Sequence, residues 1–173
     1  MAFEMIPPDE ITERDIAEVL EMESRVYDDD ARQTLERCMA FFSVNNGIYL
    51  FFRDTESSLF VGNVNCMPVT DECYGMIRSG DFIERDIAPE MVLPEGDSVY
   101  FSGITIRESH RNRANLLRLM LSEFNRRTGG MRRMVADAVT KEGSRLCRMY
   151  GMERICTSRH GSGIYEKVFF SKR

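Results

Sequence analysis

One segment constrains the fold of this chain more than any other: a strand with a buried pattern that passes directly into an amphipathic helix. Residues 98–106 read SVYFSGITI and are rich in the β-branched and aromatic residues that favour strands. A short polar loop follows, and apolar residues then recur at helical spacing on one face: Leu116, Leu117, Met120, Leu121 and Phe124. A strand that leads into a helix in this way is typical of α/β proteins.

The rest of the second half continues the same alternation. It predicts, in order, a strand (132–140), a short helix (141–152) and a closing strand pair (153–159 and 163–170). The first half adds helices and a hairpin, followed by a helical insert at 69–97. We therefore predict one α/β domain over residues 1–173, with a mixed, twisted sheet of about six or seven strands flanked by helices on both faces.

Helix start signals place the two N-terminal helices. Thr12 followed by Asp15 resembles a capping box, and apolar residues from Ile16 onward recur at helical spacing. A second helix is predicted to start near Asp30, because Leu35 and the apolar residues after it share one face.

Composition excludes several classes of protein. The chain has 173 residues, of which 43% are hydrophobic and 29% charged, the balance of a soluble globular protein. No apolar run approaches the ~20 residues of a membrane span, and no secretory signal is visible, so we expect a cytoplasmic protein without membrane contact. Five cysteines without a CxxC pair indicate reduced thiols, and two histidines make a His-based metal site unexpected.

Charge is unevenly distributed along the chain. The formal net charge is −5, residues 1–30 are strongly acidic, and residues 107–133 are rich in arginine. Net acidity argues against a nucleic-acid binder. The basic segment is open to two interpretations, a binding surface for a compact polyanion or a solvated helix face.

The loop between strand and helix is the best candidate for a binding site. Arg111, Asn112 and Arg113 open the helix, where backbone N–H groups lack helical partners and attract anions such as a pyrophosphate. Arginine also suits phosphate geometry. An ordinary strand–helix turn with exposed arginines is the alternative interpretation.

Two segments resemble the GNAT superfamily of acyl-CoA-dependent N-acetyltransferases. That family joins its central strand to its main helix through a Gln/Arg-x-x-Gly-x-Gly/Ala loop, which matches ITIRESHRNRANLLRLML with Arg111 at the first position. Ala114 and Leu116 stand where the family has small residues. A second family pattern, on the helix after the next strand, matches TKEGSRLCRMYGM, with Leu146 and Gly151 in agreement.

The resemblance implies a GNAT-type fold that binds acetyl-CoA where two parallel strands separate. The implied coenzyme-binding residues are those of the strand end, for the pantetheine arm, and those of the loop, for the pyrophosphate: Ile104, Thr105, Ile106, Arg111, Asn112, Arg113, Ala114 and Asn115.

Proton transfer involves two catalytic candidates, which the resemblance places at Cys147 and Tyr100. Cys147 occupies the position of the family's helix tyrosine, which protonates the leaving thiolate; Tyr150 is a rival, and simple core packing is an alternative for both. Tyr100 occupies the strand position at which the family often carries a carboxylate base. Ser102, Glu108 and Asp137 are further candidates for that base.

The implied activity is transfer of an acetyl or short acyl group from acetyl-CoA to an amine, by direct attack in a ternary complex. The acceptor is expected to be a small-molecule amine or a peptide. Its binding site is expected to be shaped by residues 20–46 and 69–97 and by the loop near His160. The acidic residues 28–30 could attract a cationic acceptor or simply be a solvated turn. A homodimer is possible, and a catalytically degenerate acyl-CoA-binding module is the alternative function.

Overall fold

The computed structural model describes residues 2–25 and 33–169, which contain seven strands and five α-helices. The strands are β1 (Phe3–Met5), β2 (Tyr49–Asp54), β3 (Phe60–Pro68), β4 (Ser98–Ile106), β5 (Arg133–Ala138), β6 (Glu153–Thr157) and β7 (Gly163–Val168). The helices are α1 (Glu13–Glu23), α2 (Leu35–Val44), α3 (Asp71–Ser79), α4 (Ala114–Thr128) and α5 (Lys141–Met149).

The strands form one mixed sheet in the order β1-β2-β3-β4-β5-β7-β6. Its outer pairs β1–β2, β2–β3, β5–β7 and β6–β7 are antiparallel, whereas β4 and β5 run parallel. The predicted α/β fold with a mixed sheet of about six or seven strands and a parallel centre is confirmed.

The parallel pairing of β4 with β5 is short. It joins Ser98 to Arg133, Val99 to Met134 and Tyr100 to Val135, and no later pair is found among the described residues. The other edge of β5 pairs with β7 along its whole length. The ladder between β4 and β5 therefore stops at Tyr100, although β4 continues to Ile106.

Two compact units divide the described chain. Unit 1 contains the described residues of Met1–Cys66 and Gly103–Gly129. In it, α4 packs against β1 and β2, and α1 packs against α2. Its buried aromatic side chains are those of Tyr49, Phe41, Phe51, Phe52, Phe60 and Phe124.

Unit 2 contains Met67–Ser102 and the described residues of Gly130–Arg173, and it carries a helix on each face of its strands. On one face, Tyr74 and Arg78 of α3 donate hydrogen bonds to Glu166 of β7. On the other, Arg148 of α5 donates to the hydroxyl of Tyr165. Because successive side chains of a strand point to opposite faces, α3 and α5 cover opposite faces.

Local signals explain where the first helices begin. The capping box of Thr12 and Asp15 is confirmed, with the Asp15 N–H donating to Thr12 Oγ1 and the Thr12 N–H donating to Asp15. The predicted start of the second helix near Asp30 is wrong, because α2 begins at Leu35, where the Thr34 hydroxyl caps its first turn. Asp30 itself lies outside the described residues.

None of the helices in the described ranges is both long enough and apolar enough to cross a membrane.

Candidate functional site

At the end of β4, the backbone N–H and C=O groups of Ile104 and Ile106 point away from β3. The Arg107 N–H donates to Val61 O, and the Thr105 carbonyl lies so close to Gly62 that a Cβ there would be 2.4 Å away. Backbone groups alternate in direction along a strand, so those of Ile104 and Ile106 point away from β3. Of the predicted pantetheine-binding residues, Ile104 and Ile106 therefore direct backbone groups toward a further extended chain, and the Ile106 carbonyl also accepts a hydrogen bond from Arg111. The backbone of Thr105 faces β3.

The loop between β4 and α4 leaves several amides unoccupied. The amides of Arg111 and Arg113 donate to backbone carbonyls in a short 3₁₀ turn. Those of Asn112, Ala114 and Asn115 have no hydrogen-bond partner among the described residues, and no side chain caps α4. Unpaired amides at the start of a 15-residue helix carry the partial positive charge that attracts phosphate groups.

Side chains around these amides leave the loop open. Leu116 is fully buried in unit 1, so its side chain points away from the loop surface rather than over the amides. The side chains of Arg111, Arg113 and Ala114 are exposed. The Arg111 guanidinium donates to Ile106 O at 3.5 Å, which keeps its charge beside the end of β4.

A second cluster lies in unit 2 on the N-terminal half of β4. Tyr100 and Ser102 project from the same face of the strand, because they are two residues apart. Both hydroxyls donate to Glu84 Oε2, at 3.2 Å and 2.8 Å respectively. Tyr100 is nearly inaccessible to solvent and Glu84 is half-buried. The strand position that lacks a carboxylate in the sequence thus has one beside it in the structure.

Glu84 is a site residue that sequence reasoning missed. It lies in a 3₁₀ turn, Glu84–Asp86, within the insert at 69–97. Glu84 is separated from Tyr100 and Ser102 by 16 and 18 residues, so no local sequence spacing predicts these contacts. The sole hint is that the insert was expected to shape the acceptor site.

Cys147 and Tyr100 lie on opposite faces of the sheet. Cys147 is the buried residue of α5, the helix that packs on β5 and covers the face opposite to α3. Tyr100 shares its face with Val135, its neighbour in the ladder, and with Glu166, which pairs with Val135 and binds α3. Burial raises the pKa of the Cys147 thiol to about 11, so the thiol stays protonated at neutral pH.

The remaining candidates have clear surroundings. Tyr150 ends α5 with its ring 4.2 Å from the ammonium of Lys167, a cation–π contact. Glu108 is exposed in the 3₁₀ turn that follows β4. Asp137 is half-buried on β5. The acidic residues 28–30 lie outside the described residues.

Among residues 2–25 and 33–169, no three His, Cys, Asp or Glu side chains come together in a way that could hold a metal ion.

No protein-family model matches the sequence, and no curated protein matches it.

Solved structures match over nearly the whole chain. The loading GNATL domain of CurA from Lyngbya majuscula has a TM-score of 0.68 at 11% identity, covering 96% of both chains. A mosquito arylalkylamine N-acetyltransferase-like protein, 5b, has a TM-score of 0.63 at 13% identity, covering 97% of this chain and 99% of that one. The PaiA N-acetyltransferase of Thermoplasma acidophilum, solved with coenzyme A, has a TM-score of 0.58 at 10% identity, covering 98% and 100%.

These TM-scores establish the fold. At identities this low, the chemistry has to be argued from the residues of the site. The resemblance seen in the two sequence motifs is confirmed at the level of architecture: the chain has the fold of the GNAT acetyltransferases.

Proposed function

We propose that the protein transfers an acetyl or other short acyl group from acetyl-CoA to a small-molecule or peptide amine. Acetyl-CoA supplies the acyl group as a thioester, which a neutral amine attacks directly. The observation that carries the proposal is the set of amides at Asn112, Ala114 and Asn115, which no described residue occupies. They begin a helix that follows directly from the central strand, as the GNAT resemblance requires.

The residues of unit 1 fit the coenzyme. The unoccupied amides and the exposed Arg111 and Arg113 suit a pyrophosphate, because arginine and helix N-termini both favour phosphate oxygens. The backbone groups of Ile104 and Ile106, which point away from β3, would pair with the pantetheine arm as an added strand does. An amide N–H in this row also suits the thioester carbonyl, whose oxygen gains negative charge during attack.

The residues of unit 2 fit the acceptor. We assign Glu84 as the group that takes a proton from the attacking nitrogen, because its Oε2 is fixed by two donors, Tyr100 and Ser102. Tyr100 then acts as a positioning residue rather than as the base. Because the carboxylate is held in one orientation, its geometry is set before the reaction.

The coenzyme sulfur needs a proton when it leaves, and we propose Cys147 as the donor of that proton. As the C–N bond forms and the C–S bond breaks, the nitrogen loses one proton to Glu84 and the coenzyme sulfur gains one from Cys147. Burial keeps the Cys147 thiol in the protonated form that a donor requires. Water returns both residues to their starting states by exchanging protons with them.

The relatives support an amine as the acceptor. The mosquito protein is named for arylalkylamines, and PaiA was solved with coenzyme A. We extend both an amine acceptor and CoA to this chain as part of the proposal.

Turnover tests the proposed function against the binding-module alternative. The protein is mixed with acetyl-CoA and a broad panel of amines, and release of free thiol is followed. We expect release that depends on both the protein and an amine. A rise in melting temperature with acetyl-CoA but no thiol release with any amine would instead establish the degenerate module. The absence of both effects would contradict the two functions together.

A further inference from the structure

A second carboxylate lies on the same face of the sheet as Glu84. Glu84 lies over β4, since Tyr100 and Ser102 both donate to it. Tyr100 is paired in register with Val135 of β5, so these two side chains share a face. Asp137 follows Val135 by two residues and therefore projects from that same face.

The pairing of β5 with β7 fixes this orientation. Asp137 is opposite Ile164 in a ladder that runs without interruption to the end of β5. On its other side, β5 has already lost its ladder with β4, whose last pair is Tyr100 with Val135. Asp137 thus sits just beyond the point at which the parallel pairing ends.

Among the described residues, no arginine or lysine forms an ion pair with Asp137. Its Oδ1 is inaccessible to solvent and accepts no hydrogen bond from any described residue. The carboxylates of three nearby acids are each paired with an arginine at 2.6–2.7 Å; these pairs are Asp71–Arg133, Asp86–Arg159 and Glu166–Arg78. Asp137 is instead accompanied by the Ser162 hydroxyl and, at longer range, by His160.

A buried carboxylate oxygen without a donor is costly, because burial removes water and nothing replaces it. Burial also raises the pKa of Asp137, against the opposing effects of Ser162 and His160. Asp137 as a whole is only half-buried, so a positively charged donor that arrives with a ligand can approach the carboxylate from its exposed side and supply the missing interaction.

We propose that Asp137 is a specificity-determining residue that receives a second ammonium group of the acceptor, so that the preferred acceptors are diamines. This inference rests on the proposed function: the nitrogen under attack is handled by Glu84, and the distal nitrogen is held by Asp137. The second group takes no part in bond making, so the proton balance of acyl transfer is unchanged.

Matched acceptors test the inference without any mutation. Linear α,ω-diamines from ethylenediamine to hexamethylenediamine are compared as substrates, each against the monoamine of the same chain length. For at least one length we expect kcat/KM of the diamine to exceed that of its monoamine about tenfold or more, as one charge-assisted hydrogen bond provides. Equal values at every length would overturn the inference, while turnover of the monoamines would still support acyl transfer.

The variant Asp137→Asn then assigns the preference to this residue. We expect it to raise KM for the favoured diamine about tenfold, with kcat and the monoamine kinetics nearly unchanged. The charge-matched control Glu153→Gln removes an exposed acid of β6 and should preserve the preference. A fall of kcat by the same factor for both acceptors would show that Asp137 moves a proton instead, and so contradict its role in specificity.

Calorimetric titration of the wild-type protein with the favoured diamine and its monoamine tests the diamine preference independently of how well Asp137→Asn folds. We expect measurably tighter binding of the diamine, and equal affinities would overturn the inference.

Discussion

We propose that proton removal from the acceptor depends on Glu84. Its Oε2 is held by Tyr100 and Ser102, so the carboxylate is placed before any substrate arrives. We expect Glu84→Gln to lower kcat about a hundredfold, the usual effect of losing a general base. Tyr100→Phe should have a smaller effect, because it removes one of the two hydrogen bonds and leaves the carboxylate.

Steady-state kinetics at saturating acetyl-CoA measure these effects. The matched control is Glu90→Gln, which changes an exposed acid of the same insert. Equal rates for Glu84→Gln and the control would show that another group removes the proton.

Cys147, on the face of the sheet opposite to Tyr100, is the proposed proton donor to the leaving sulfur. Burial raises the pKa of its thiol to about 11, so the thiol is protonated at neutral pH and is a poor nucleophile. We expect Cys147→Ala to lower kcat about tenfold or more, with little change in KM for acetyl-CoA. The control Cys73→Ala removes a thiol that is also fully buried, in α3, and should lower stability without lowering kcat. Similar kcat values for the two variants would assign Cys147 to the core alone.

Asp137 should destabilise the folded protein at neutral pH. Burial raises its pKa in the folded state, against the opposing effects of Ser162 and His160, so the folded state binds more protons than the unfolded state. Stability is therefore lost as the pH rises above the unfolded pKa of about 4. Asp137→Asn cannot ionise, and we expect it to melt higher than the wild-type protein at pH 7 but not in acid.

Asp71 provides a control of opposite sign for this measurement. Ser98 and Arg133 lower its pKa, so its contribution to stability is present above the unfolded pKa and is lost as the pH falls. Thermal melts at several pH values should thus show Asp71→Asn losing stability at neutral pH. A lower melting temperature for Asp137→Asn at pH 7 would contradict the strained environment that we infer.

At the scale of elements, we propose that the junction of β4 and α4 binds the coenzyme. The double variant with Arg111→Ala and Arg113→Ala should weaken CoA binding about tenfold or more, because it removes two charged donors to the pyrophosphate and leaves the amides. Binding of S-acetyl-N-acetylcysteamine, which lacks the pyrophosphate, should not change.

Calorimetric titration distinguishes these cases, with Arg14→Ala, an exposed arginine of α1, as the control. A loss of CoA affinity as large in the control would mean that the effect is one of net charge.

The elements themselves were largely predictable from the sequence. The pattern of SVYFSGITI, the apolar face that begins at Leu116 and the capping box at Thr12 are all local signals, and each produced the element expected. The start of α2 lies at Leu35 rather than near Asp30, because the Thr34 hydroxyl caps its first turn.

At the scale of the whole molecule, contacts between distant parts of the chain were not predictable. Glu84 contacts Tyr100 and Ser102 only because the insert folds back over β4. The hydrophobic periodicity of the sequence does not predict where the insert packs. The position of Asp137 relative to Tyr100 depends on the register of β5, which a single sequence does not specify. The candidate coenzyme loop can be proposed from the sequence because its residues are consecutive.

The central claim is that the amides at the start of α4 bind the diphosphate of CoA. Titration of the ¹⁵N-labelled protein with CoA, followed by amide chemical shifts, tests it most directly. We predict that the largest shifts fall on Asn112, Ala114 and Asn115, and that pantetheine, which lacks the diphosphate, does not produce them. Unchanged resonances of these three amides at saturating CoA, or equal shifts with pantetheine, would contradict the account.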